Sequence, residues 1–153
     1  MKVVFFSESQ INGTVPRDFP NARTEYAWMM ALDAPHYNIN NLPNEKFDLG
    51  IVIIPKNNPN IDLDSFRECC DKVAVMQEGP HWLFQDYTME QQIWWYNALT
   101  EFDMLFAHNL KDVRYYKGLV NKPVHKMPTL MLTERLGIQP RSEWSDAVII
   151  GGN

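Results

Sequence analysis

The sequence predicts an α/β domain of the three-layer, Rossmann-like kind, with a mostly parallel sheet and helices on both faces. Three observations predict it. Short, unbroken apolar runs recur at residues 3–6, 49–54, 73–76 and 104–107, as expected of strands covered on both sides. Segments with helical apolar spacing separate most of these runs. Strands joined through helices imply right-handed crossovers and therefore parallel neighbours.

Taken in order, residues 3–6 (Val-Val-Phe-Phe) read as a buried first strand. Residues 7–21 are polar, contain Gly13, Pro16 and Pro20, and read as a long loop. Asn21 offers a side-chain oxygen to cap a helix, and residues 24–32 follow as a helix that is apolar almost all round, hence packed on more than one side. Pro35 ends it, and residues 37–39 are a candidate short edge strand. Residues 49–54 (Leu-Gly-Ile-Val-Ile-Ile) are the clearest strand, followed by a proline-bounded turn over residues 55–59. Asp62 or Asp64 caps a helix whose apolar positions are Leu63, Phe66, Cys69, Cys70 and Val73. Residues 73–76 form the next strand.

Thr88 and Gln91 fit a capping box that opens a long helix. Its expected buried stripe is Met89, Gln92/Ile93, Trp95/Tyr96, Leu99 and Phe102, with Trp94 on the opposite face as a candidate contact to another domain or subunit. A strand over residues 104–107 and a helix over residues 110–119 follow, then a short strand over residues 124–127. Residues 1–127 are therefore assigned to the Rossmann-like domain. Residues 128–153 are assigned to a connector and a final strand over residues 147–150, leading toward a second domain beyond the chain.

The chain has 153 residues, 45% of them hydrophobic and 22% charged, enough for a real core and too apolar for disorder. Its net charge of -5 argues against an electrostatic grip on nucleic acid. No run reaches the length of a membrane span, and the opening apolar run is too short for an export signal, so a cytoplasmic location is expected. The two cysteines, Cys69 and Cys70, lack partners at metal-ligand spacing and read as small buried apolar side chains on a helix. No Walker, dinucleotide, nucleophile-elbow or zinc-protease pattern occurs, so no metal is expected.

In open parallel sheets, ligands sit at the carboxyl ends of the strands. That rule selects Ser7-Glu8-Ser9, Pro55-Lys56-Asn57-Asn58, Gln77-Glu78-Gly79-Pro80-His81-Trp82, and His108-Asn109-Leu110-Lys111. Glu78 is the carboxylate singled out: beside Gly79 in a cleft it would accept a proton from an attacking hydroxyl, or else cap a helix or bind turn amides. His108 serves as a base or sugar-hydroxyl partner, or as a polar strand end bonded to a neighbouring loop. Asn109 is better placed to cap the following helix than to touch ligand. His81 and Trp82 lie in a loop, and Trp82 either stacks on a sugar ring or covers the core. Lys111 could meet a phosphate near a helix start. Solvent or structural roles are assigned to His36 and His125.

Several of these residues resemble a known family. The first strand with its long loop and buried helix, the strand-end Glu78-Gly79-Pro80, the run from Met104 to Asn109, and the tail from Asp146 to Asn153 are similar to the N-terminal domain of GT-B glycosyltransferases. The Gly-Gly loop that many members carry after the first strand is absent here. The resemblance implies an acceptor-binding half of an enzyme that transfers a hexose from a nucleotide sugar. Catalytic candidates would be Glu78 and His108. Substrate-binding candidates would be Ser7, Glu8, Gly13, Asn57, Gly79, His81, Trp82, Asn109 and Lys111. The family binds its nucleotide-sugar donor mostly through a C-terminal domain, so no cofactor is expected in this one. Its partners would be that donor-binding domain and a small-molecule or glycan acceptor. Two other readings stand beside it: a non-catalytic flavodoxin-like or response-regulator-like binding module, and a self-associating α/β scaffold, a homo-oligomer. The lone Glu8 after the first strand and Lys56 after the central one depart from the response-regulator pattern.

Overall fold

The apolar runs become strands because the sheet buries them on both faces. A computed structural model of the chain describes residues 1–15, 24–53, 62–77, 87–128 and 130. Its strands are β1 (Val3–Ser7), β2 (Gly13–Thr14), β3 (Pro35–Asn38), β4 (Phe47–Ile53), β5 (Cys70–Gln77), β6 (Met104–Ala107) and β7 (Val124–Lys126). Its helices are α1 (Thr24–Leu32), α2 (Leu63–Cys69), α3 (Met89–Glu101) and α4 (Leu110–Leu119). The seven strands form one sheet in the order β2-β3-β1-β4-β5-β6-β7, with all neighbours parallel except the β2–β3 pair.

The expected three-layer arrangement is present. Helices α2, α3 and α4 pack on one face, where Phe66, Trp95, Leu99 and Tyr116 meet Val4, Phe6, Val52, Val75 and Leu105. Helix α1 covers the other face, where Tyr26 and Met29 meet Phe5, Ile51, Ala74 and Met76. Alternate residues of β1 therefore enter different cores, and all five are buried. The Phe6 and Phe66 rings meet edge to face at 4.9 Å, an aromatic contact that adds to plain area burial.

The strand order contains one reversal. From β1 the chain moves outward to β3, then crosses back over β1 to β4 and continues in one direction to β7. The β3-to-β4 crossover has no helix, and Ile39 and Leu42 cover the α2-side core in its place. The switch point of the sheet lies between the carboxyl ends of β1 and β4, where such folds open a crevice.

Four details differ from the sequence expectation. β3 begins at Pro35 and is not an edge, because β2, within the expected long loop, pairs against it through Gly13–His36 and Thr14–Pro35. Gly13 carries φ 91°, a conformation that favours glycine. α2 stops at Cys69, and β5 starts at once with Cys70 beside Phe47, so Cys70 and Val73 belong to a strand. The apolar spacing of residues 66–73 fits both periods, and ladder pairing with β4 decides for the strand. α3 is rotated relative to expectation. Trp95, Leu99 and Phe102 are buried and Trp94 packs against the core with its ring 5.7 Å from that of Trp95. Met89, Ile93 and Tyr96 face outward instead.

Helix ends follow local chemistry. Asp62 accepts from the backbone of Asp64 and Ser65 to cap α2. Thr88 and Gln91 close the expected capping box on α3. The turn expected over residues 55–59, the strand-end segment expected over residues 78–82, and the connector and last strand over residues 131–153 lie outside the described residues.

Candidate functional site

The two edges of the sheet differ in chemistry. Of the four ion pairs among the described residues, three sit at the amino edge: the amino terminus with Asp48, Lys2 with Glu45, and Lys72 with Asp103. These exposed pairs contribute little energy. The carboxyl edge holds buried polar side chains instead. Buried polar residues among the described ones are Ser7, His36, Asn38 and Asp112, and the first three meet at the ends of β1 and β3.

This corner can be built bond by bond. His36 is fully buried, and its Nδ1 lies 2.6 Å from the Ile11 carbonyl, which only accepts, so Nδ1 carries the proton. Nε2 then accepts from Ser7 Oγ at 2.8 Å. Ser7 Oγ in turn accepts from the Ser9 amide at 3.1 Å. Asn38, opposite Ser7 in the ladder, donates through Nδ2 to the carbonyls of Glu8 and Ser9, each at 3.0 Å. Its backbone amide donates to Asn12 Oδ1, and its Oδ1 accepts from the Asn40 amide. The Tyr26 hydroxyl of α1 reaches Ser9 Oγ at 3.0 Å.

The bonds fasten the backbone of residues 8–12 over the end of β1, beside the switch point. The serine–histidine contact has the form of a nucleophile and its base. Ser7 is only 7% exposed and His36 not at all, so the pair acts as a positioning device for the loop. Desolvation holds the His36 pKa below the ordinary histidine value, partly offset by the bond to Ile11, so the ring stays neutral in the fold. The groups at this corner that meet solvent are Glu8, Gln10 and Asn12.

The second part of the edge follows β6. His108 is half-buried, and its Nδ1 lies 3.1 Å from the Met127 carbonyl. That acceptor sets the same tautomer as in His36 and leaves the Nε2 lone pair for a ligand proton. Asn109 caps α4 by accepting from the Asp112 amide at 2.9 Å, the role expected of it, and Asp112 is buried beneath it. Lys111, two residues after Asn109, is exposed. The ends of β1 and β6 stand three strand spacings apart, about 14 Å.

Of the site residues selected from sequence, Ser7, Glu8, Gly13, His108, Asn109 and Lys111 are described. Ser7, Glu8, His108 and Asn109 stand at the carboxyl edge. Gly13 lies in β2 against His36. Glu78, Gly79, His81, Trp82 and Asn57 lie outside the described residues. His36 and Asn38 were missed as parts of the corner. A readable signal existed: two polar residues two apart in a short strand, hence on one face. Among the described residues, no three His, Cys, Asp or Glu side chains converge to hold a metal ion, and no helix is long and apolar enough to cross a membrane. No family model matches the sequence, and neither does any curated protein or solved structure.

Proposed function

We propose that this chain is the acceptor-binding, Rossmann-like domain of a GT-B-like glycosyltransferase, acting with a donor-binding domain that supplies a nucleotide-linked hexose. The observation that carries the ligand site is the polar corner at the ends of β1 and β3, beside the β1–β4 switch point, where buried Ser7, His36 and Asn38 fix the loop that presents Glu8, Gln10 and Asn12. Sugar hydroxyls are read by carboxylate and amide groups held in place before the ligand arrives, because less ordering is lost on binding. The sugar-transfer chemistry rests on the resemblance of the sequence to that family.

In this reading the acceptor lies along the carboxyl edge, and one spanning Glu8 and His108 is larger than a single sugar ring. His108 Nε2 takes the proton of the attacking hydroxyl as its oxygen bonds to the anomeric carbon and the nucleotide diphosphate departs. Glu78 is the alternative base.

Amide-resolved NMR titration with mono- and disaccharides tests the site. Shifts confined to residues 7–12 and 108–109, with weaker effects from nucleotide sugars, are expected. Saccharides that leave those amides unmoved, while a nucleotide sugar shifts them, would overturn the acceptor assignment. One observation favours a second reading: apart from β2 and the added edge strand β7, the strand order is that of flavodoxin-like folds, whose flavin sits at the equivalent switch point. A yellow purified protein with flavin absorbance would select it.

A further inference from the structure

Five of the seven large hydrophobic side chains that are exposed among the described residues lie on α3 and α4: Met89, Ile93, Tyr96, Leu110 and Tyr115. Ile93 is 55% exposed and Tyr115 42%. Together with Gln92, the residues Ile93, Tyr96 and Tyr115 line an open groove of about 390 Å³ between the two helices. Clustered apolar exposure of this kind marks an interaction surface, whereas scattered single residues do not.

The groove walls are held in place. The Tyr96 hydroxyl donates to the Leu119 carbonyl at 3.1 Å, tying α3 to the end of α4. The Tyr115 ring stands edge-on to the fully buried Tyr116 ring at 5.4 Å. Ordered aromatic walls lose little side-chain freedom when covered.

Charge identifies the occupant. The exposed charges of α3 are acidic, Glu90 and Glu101, and those of α4 are basic, Lys111, Arg114 and Lys117. None of the five joins an ion pair among the described residues. An acidic helix beside a basic one, with an apolar seam between them, is complementary to itself under a two-fold axis. We infer that this face is the contact between two copies of the chain. The two helices run parallel because β5, β6 and β7 are parallel. A two-fold axis along them therefore lays each α3 parallel to the α4 of the other copy, with Ile93 and Tyr96 against the partner's Tyr115, Glu90 toward the partner's Lys111 and Glu101 toward the partner's Lys117. A lipid surface or nucleic acid would demand a uniformly basic face, which α3 denies. The inference is independent of the proposed sugar chemistry.

Sedimentation equilibrium over a range of concentrations tests it. A concentration-dependent dimer is expected, and Ile93→Lys should raise its Kd by roughly tenfold or more. Because Ile93 is largely exposed, circular dichroism should show that variant folded. Glu101→Lys and Lys117→Glu should each weaken self-association, and mixing the two variants should give a heterodimer in which both charge pairs are restored. A chain that remains monomeric at every soluble concentration overturns the inference. A dimer unaffected by Ile93→Lys, or variants that fail to pair on mixing, overturns it as well.

Discussion

Gly50 gives the sharpest test of how the core is packed. It lies in β4 between β1 and β5, in ordinary extended backbone, so its need for glycine is steric. A Cβ at this position would stand 2.7 Å from Cys70 Sγ and 3.0 Å from Phe6 Cε2. Phe6 is fully buried and wedged against Phe66, and Cys70 Sγ already lies 3.7 Å from Cys69 Sγ, so neither can give way freely. Overpacking of this kind costs about 2 kcal/mol, which for a chain of this size lowers Tm by about 4–8 °C. Cys70→Ala alone should cost about 1 kcal/mol through the small void it leaves. In the double variant the new Cβ occupies that void, and only the Phe6 contact stays tight. The two losses should therefore fall short of their sum by about 1 kcal/mol in a denaturant double-mutant cycle. Losses that add to within about 0.5 kcal/mol would refute the argument that Cys70 Sγ is the atom that forbids a side chain at position 50.

Three further outcomes follow from the same geometry. Burial, with the adjacent Cys69 thiol next in effect, pushes the Cys70 pKa up to about 12, so the thiol stays protonated near neutrality. Thiol reagents at pH 8 should label it only as the protein unfolds. His36 titrates below its unfolded value, so the unfolded chain binds the extra proton first. Its neutral, folded form contributes stability above pH 6.5 that is lost as pH falls through the lowered native pKa. Denaturation measured from pH 7.5 down to 5 should show this loss, and a folded His36→Gln variant should lack that component. Asn38→Ala removes the bonds to Glu8, Ser9 and Asn40 and strands two carbonyls. It should cost about 2–3 kcal/mol and speed amide exchange selectively over residues 8–12 in hydrogen-exchange experiments.

The alternation of strands and helices was legible because both periods were clean in the sequence. Val3-Val4-Phe5-Phe6 and the run ending at Ile53 allow no helix of useful length, and the Thr88–Gln91 box and Asn109 cap mark their helix starts within a residue. Where two periods coexist, the sequence could not choose. Cys69-Cys70 and Val73 satisfy helical spacing and strand propensity alike, and only the β4 ladder, a contact between residues more than twenty apart, breaks the tie. In α3, apolar residues occur on nearly every face, so the buried side is set by where β5 and β6 lie beneath it. Trp95 took the core, Trp94 leaned on it, and Ile93 and Tyr96 were left outside.

The candidate site divides along the same line. The carboxyl-edge rule needs only strand direction, which alternation supplies, and it located Ser7, Glu8 and His108. It could not locate His36 or Asn38, because their part depends on β3 lying beside β1, a lateral order that no local pattern encodes. Their chemistry then constrains the interpretation of the corner. An apolar trio of similar volume would be buried there without needing partners, as Val4, Phe6 and Val52 are elsewhere in the sheet. Buried Ser, His and Asn must each be satisfied or cost several kcal/mol, and here they are satisfied by the backbone of Ile11, Glu8 and Ser9. What the polar trio adds over an apolar one is direction: it sets where the chain from Glu8 to Asn12 runs relative to the switch point.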